Sequence, residues 1–186
     1  MTTRVMGDQR TRRWLLFLGL AGGIIVADQL TKAWVDANFA LAWINGPIPG
    51  YAQPTPVLGD LVRIAKSYND GGLFGLFGTA ALLLAMASLV VIALILWFQR
   101  RAAATGPLLL TITLGLLLGG AVGNLLDRLR LGYVIDFVDM GLGNTRFFTF
   151  NVADSAISLA IVGLLLLSFL GDRLAAAPAP PSPVDG

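Results

Sequence analysis

Long apolar runs separated by short polar clusters dominate the chain. Four of them can cross a bilayer as helices: Trp14 to Trp34, Leu73 to Phe98, Pro107 to Leu126 and Ala153 to Leu170. About 20 residues rising about 1.5 Å each cover a hydrocarbon layer of about 30 Å. Edge signals support each run. Trp14 and Trp34 bracket the first like an aromatic belt, Trp97 and Phe98 close the second, Pro107 suits the first turn of the third, and Arg173 follows the fourth. The pattern predicts an all-α membrane protein with four transmembrane helices in one membrane domain over 1–174, with an outer loop over 35–72. The stretch from Ala175 to Gly186 is rich in Ala and Pro, has little to bury, and is expected to be disordered.

Lys and Arg near the helix ends set the orientation. Arg4, Arg10, Arg12 and Arg13 precede the first run, Arg100 and Arg101 join the second to the third, and Arg173 follows the fourth. These fall on one side, expected to be cytoplasmic together with both termini. Arg63, Lys66, Arg128, Arg130 and Arg146 lie on the other side, so the bias by count is modest. A cleaved signal peptide is the rival reading of the first 30 residues. Asp28 ends the apolar run and the nearest small-x-small triplet, Ala40 to Ala42, lies well past it, so the first helix is expected to remain in the mature protein.

With alternating spans, the end of helix one, the start of helix two, the end of helix three and the start of helix four share the outer side. The unusual polar groups collect there: Asp28-Gln29-Leu30-Thr31-Lys32, Asn69-Asp70-Gly71-Gly72, Gly123-Asn124-Leu125-Leu126-Asp127-Arg128 and Phe150-Asn151-Val152-Ala153-Asp154. Polar side chains at membrane depth are costly and usually face a bundle interior or a cavity with a task. Simpler readings exist for single elements. Asp28 and Lys32 have the spacing of an i,i+4 ion pair. Asn151 with Asp154 three residues on has the spacing of a helix N-cap with an acidic residue at its third position. Thr111, Gly115, Gly119, Gly123 and Asp127 recur every four residues, as on a close helix-packing ridge.

Composition narrows the chemistry. The chain is 56% apolar and 13% charged, against about 25% charged in soluble domains. It has no Cys and no His, and its 11 acidic residues are all Asp. Disulfides, thiol nucleophiles, imidazole bases and His/Cys metal sets are excluded, and no metal or other cofactor is expected. The net charge of +2 gives no reason to expect nucleic acid as a partner, because most Arg sit at membrane flanks. Between the third and fourth spans, Gly132-Tyr133-Val134-Ile135-Asp136-Phe137-Val138-Asp139 sets a carboxylate in a run too apolar for a solvated loop. Asp136 is therefore expected to be desolvated, with a raised pKa. Near Asp154, the two could share one proton as in aspartic proteases, one acting as base for water and one as acid.

In this order the motifs resemble those of the bacterial lipoprotein signal peptidase family, signal peptidase II. The resemblance runs from Trp14 to Arg173 and rests on five blocks: Asp28 to Lys32, Asn69 to Phe74, Gly119 to Arg128, Gly132 to Asp139 and Phe150 to Ile157. It implies that Asp136 and Asp154 are the catalytic pair, with Asp28, Lys32, Asn69, Gly71, Asn124, Arg128 and Asn151 lining or bracing the site and Asp127 as structural support beside Arg128. It also implies a small periplasmic β-structured region, expected in the Pro- and Gly-rich loop from Asp36 to Tyr68 and lying on the lipid surface. Gly72 and Leu73 stand where the family usually has small residues before Phe74. The implied activity is that of an aspartic endopeptidase of the bacterial inner membrane, a monomer among membrane lipids with its active site at the outer face. Its implied substrate is a prolipoprotein bearing a diacylglyceryl-Cys, cut on the N-terminal side of that Cys.

Two other classes fit parts of the pattern. A small proton-coupled transporter or channel subunit would use Asp28, Asp127 and Asp154 as a relay, but they cluster at one face and no inverted repeat is visible. A metal-dependent phosphotransferase is suggested only by Asp136-x-x-Asp139, without a second acidic cluster. From spacing alone, either Asp127 or Asp136 could be the closer partner of Asp154.

Overall fold

The computed structural model describes residues 2–42, 49–71 and 80–175, and the side chains of 8–42, 49–71 and 81–169. Its elements run α1 (Thr2–Asn38), β1 (Thr55–Leu58), β2 (Val62–Asn69), α2 (Ala80–Ala102), α3 (Leu108–Leu131), β3 (Val134–Leu142), β4 (Thr145–Arg146) and α4 (Val152–Ala175). All four helices are long and apolar enough to cross a membrane. The expected first turns of the second span, 73–79, and the tail over 176–186 lie outside the described residues.

Several helix ends run past the sequence expectation, to Asn38 in α1, Ala102 in α2 and Ala175 in α4, and three boundaries differ for an identifiable reason. Helix α1 starts at Thr2 instead of near Trp14, because the arginine-rich run before the apolar segment contains no Pro, and its one Gly, Gly7, is tolerated inside the helix. Helix α3 runs to Leu131, five residues past Leu126, and stops where Gly132 takes φ 81° and donates its N–H to the Arg128 carbonyl at 3.1 Å. Pro107 stands immediately before α3 with φ −65° instead of inside its first turn.

Helix α3 is the hub, buried along most of its length, while α1, α2 and α4 expose most of theirs. The small-residue ridge explains why. A Cβ at Gly115 would lie 3.1 Å from the Phe17 carbonyl oxygen, one at Gly119 2.7 Å from Ile24 Cβ, and one at Gly123 2.7 Å from Asp28 Oδ2. The ridge therefore lets the α1 and α3 backbones approach closely. Phe17, Ala21, Ile95, Leu114 and Leu118 form the buried apolar cluster of this bundle.

The four strands form one antiparallel sheet in the order β1-β2-β3-β4. Only β1 and β2 come from the loop in which a β-structured region was expected; β3 is the apolar segment after the third span. In the β2/β3 register Ser67 faces Asp136 and Asn69 faces Val134, so Ser67, Asn69 and Asp136 share one face by the two-residue period. That face adjoins the ends of α1 and α3 and the start of α4.

Candidate active site

Three helix termini meet around one ammonium group. Lys32 of α1 is almost fully buried, and its Nζ lies 2.8 Å from Asp28 Oδ2, 2.9 Å from Asp127 Oδ2 and 2.9 Å from Asn124 Oδ1. An ammonium has three donors, and all three are used. Asp28 Oδ1 accepts the Ala153 N–H at 2.9 Å, satisfying one of the free donors at the start of α4. Asp127 also accepts from Gln29 Nε2 at 2.9 Å and from the Ile135 N–H at 3.3 Å, which ties β3 to α3. The i,i+4 pair expected for Asp28 and Lys32 is present, but as part of a buried network across α1, α3 and α4.

Two more carboxylates stand above this network. Asp136 of β3 is 2% exposed and accepts Asn69 Nδ2 at 2.9 Å on one oxygen and Asn151 Nδ2 at 2.7 Å on the other. Asp154 of α4 is half-buried and accepts Asn124 Nδ2 at 2.7 Å on Oδ1 and the Asn151 N–H at 3.2 Å on Oδ2. The Asp154 N–H in turn donates to Asn151 Oδ1 at 2.9 Å, which completes a reciprocal cap on α4. The capping reading of Asn151 and Asp154 and the site reading are thus both satisfied, because each Asn uses its oxygen for structure and its amide for a carboxylate. Asn124 Oδ1 takes Lys32 and, at 3.2 Å, Asn151 Nδ2, so its NH₂ turns toward Asp154. Burial raises the Asp136 carboxyl to about 6; Asn69 and Asn151 oppose the rise by hydrogen-bonding the ionised form, and the nearby Asp154 charge adds to it.

The two carboxylates open onto different spaces. Asp136 lines a cleft of about 440 Å³ beside the sheet with Ser67, Tyr68, Asn69, Gly71 and Phe148. Asp154 lines a groove of about 350 Å³ between α2, α3 and α4 with Asn124, Arg128, Leu84, Val91 and Ile157. Arg128 is half-buried; NH1 donates to the Asn124 carbonyl at 3.4 Å, and its buried Nε has no partner among the described residues. Gly71, at φ 76°, donates its N–H to Asn69 Oδ1 at 3.0 Å, which turns the Asn69 amide toward Asp136.

Asp28, Lys32, Asn69, Gly71, Asn124, Asp127, Arg128, Asp136, Asn151 and Asp154 all lie at this junction or line its two openings. Asp127 is held by Lys32 and Gln29, whereas Asp136 and Asp154 share Asn151 as a hydrogen-bond partner. Asp139, three positions from Asp136, falls on the opposite sheet face, where Arg63 Nε at 2.6 Å and Arg146 NH2 at 2.7 Å hold it. The two therefore do not form a common site. Among the described residues no three acidic side chains converge as a metal cage. Gln29, Ser67 and Thr149 carried no assigned role in the sequence. Gln29 braces Asp127, and Ser67 and Thr149 share a 2.9 Å hydrogen bond in the wall of the sheet cleft. Gln29 could have been found from its place beside Asp28 at a helix end; the Ser67 and Thr149 pairing needed the strand register.

Comparison with known proteins gives a consistent result. The profile of a family described as Signal peptidase (SPase) II matches residues 20–170. A lipoprotein signal peptidase from Acinetobacter baumannii is 36% identical over 164 residues, covering 86% of each chain. One from Dehalococcoides mccartyi is 38% identical over 169 residues, covering 88% of this chain and 94% of the relative. One from Thermosynechococcus vestitus is 40% identical over 154 residues, covering 81% and 89%. A solved structure of a bacterial membrane enzyme, obtained by the in meso method at 2.3 Å, superposes with a TM-score of 0.72 at 20% identity, covering 89% of this chain and 94% of its own.

Proposed function

Since the chain belongs to the signal peptidase II family, and is a multi-pass membrane protease that removes signal peptides from lipoproteins, we propose that it cuts with Asp136 and Asp154 as an aspartic pair. The observation that carries this reading is the junction itself: a sheet carboxylate and a helix carboxylate, each oriented by Asn amides and joined through Asn151. Asp136, with its raised pKa, holds the proton and donates it to the scissile carbonyl oxygen. Asp154 accepts a proton from water, whose oxygen attacks the carbonyl carbon. The tetrahedral intermediate then collapses: Asp154 protonates the departing nitrogen, and Asp136 takes back the proton from the hydroxyl oxygen as it becomes the carbonyl of the product acid. Arg128, whose Nε is unpaired among the described residues, binds a backbone carbonyl of the substrate.

The substrate is a prolipoprotein whose Cys carries a diacylglyceryl group, and the bond cut is the one N-terminal to that Cys. The cleft beside the sheet takes the peptide and the groove between α2, α3 and α4 takes the lipid. The scissile bond then falls between them, where the pair sits. The protein works as a monomer in the bacterial inner membrane, both termini cytoplasmic and the sheet at the outer face, with no metal and no nucleic acid.

Asp136→Asn and Asp154→Asn test the pair. Each removes a proton-transfer group at constant volume, so each should lower turnover of a lipidated precursor by about 10³-fold or more while the protein stays folded in detergent. Near wild-type turnover in either variant would refute the pair.

A further inference from the structure

The end of the bundle away from the carboxylates holds a second polar feature that peptide cleavage does not use. A cleft of about 330 Å³ is lined by Arg10 of α1 and by Trp97, Arg100 and Arg101 of α2. Positions 97, 100 and 101 share one helix face. The Arg101 guanidinium lies 4.3 Å from the Trp97 ring centroid, a stacking that fixes its plane and leaves its N–H edge free to donate.

We propose that this cleft binds the phosphodiester headgroup of an anionic membrane phospholipid. Among the described residues Arg10, Arg100 and Arg101 have no carboxylate partner; Asp8, the described acid at this end, is held by Arg12 at 2.9 Å. Arg13 is turned elsewhere and donates to Thr111 Oγ1 at 3.3 Å. The position of Arg100 and Arg101 in the last turn of α2 offsets the helix dipole. That does not explain why Arg10, from another helix, converges on them. Three guanidinium groups around one cleft offer converging donors to an anion, and a phosphodiester accepts guanidinium donors in pairs. The depth also suits a lipid. Trp97 and Phe98 are half-exposed at the end of a membrane-spanning helix, and exposed Leu94 lies one turn further in, so acyl chains can run along α2 beneath the headgroup.

Native mass spectrometry of the full-length protein, released from micelles containing equal amounts of phosphatidylglycerol and phosphatidylcholine, tests the site. Phosphatidylglycerol should be retained preferentially. Arg10→Gln and Arg100→Gln should each reduce that retention roughly fivefold. Arg12→Gln, at the same end but outside the cleft and already paired, should leave it unchanged. Cleavage of a lipidated precursor in detergent should be the same in all three, which checks folding. A tenfold excess of glycerol 3-phosphate should not displace the lipid, because it lacks the chains. Equal retention of the two lipids by the unaltered protein would overturn the proposal whatever the variants do. So would an equal loss in Arg12→Gln and Arg100→Gln, or displacement by glycerol 3-phosphate.

Discussion

Lys32 has three N–H donors and three buried acceptors, and much of the site depends on that match. Because its third donor goes to Asn124 Oδ1, the Asn124 amide is turned toward Asp154; Lys32 acts on that carboxylate through an intermediary. Lys32→Met would strand two buried carboxylates, Asp28 and Asp127, and should destabilise the protein by about 3–5 kcal/mol, read from thermal unfolding in detergent. A shift within error would mean that water screens the network. Asp136 gives a second residue-scale test. With the Asp136 carboxyl raised to about 6, the acid is present below that pH and lost above it, so kcat/KM should fall as pH rises through about 6, the apparent value belonging to the coupled pair. The Asn69 amide favours the ionised form. Asn69→Ala should therefore move the falling limb to higher pH, and a limb that moved lower would contradict the assignment. The Asp28 to Lys32 pair was legible because it repeats at helical spacing within one element. The contacts of Lys32 with Asp127 and Asn124, 95 and 92 positions away in sequence, were not.

At the scale of elements, α3 places the site by lying close to α1. Gly119 leaves no room for a side chain, since its Cβ would lie 2.7 Å from Ile24 Cβ and 3.0 Å from the Ala21 carbonyl oxygen. Gly119→Ala should cost about 1–3 kcal/mol through overpacking, seen as a lower unfolding midpoint in detergent. An unchanged midpoint would mean that the helices can separate without loss. The four-residue period of this ridge was readable, and so were the helices, because long apolar runs admit few other structures in a bilayer. Strand β3 was harder to read. Val134, Ile135, Asp136 and Phe137 are all buried, so both faces are covered and the inside-outside alternation that marks a strand is missing. That the sheet draws its third and fourth strands from beyond α3 follows from long-range pairing, which no local pattern encodes. The same register separates Asp136 from Asp139, a distinction carried only by the parity of their spacing once the strand is known.

The whole molecule offers the two carboxylates different surroundings. The sheet presents Asp136 to a partly polar cleft, and the bundle presents Asp154 to a groove walled by Leu84, Val91 and Ile157. If the groove takes the lipid as proposed, the lipid is the stronger selector, because each buried methylene contributes about 0.8 kcal/mol, whereas an open cleft offers the peptide a few polar contacts. The sequence blocks grouped the polar helix ends by order along the chain; that Asp136 and Asp154 open onto a sheet cleft and a helix groove respectively is visible only in three dimensions. Initial cleavage rates of lipidated and unlipidated precursor, at equal concentration in one lipid mixture and with products identified by mass, test this most directly. The lipidated precursor should be cut far faster and give a product beginning at the modified Cys; equal rates for the two precursors would contradict it.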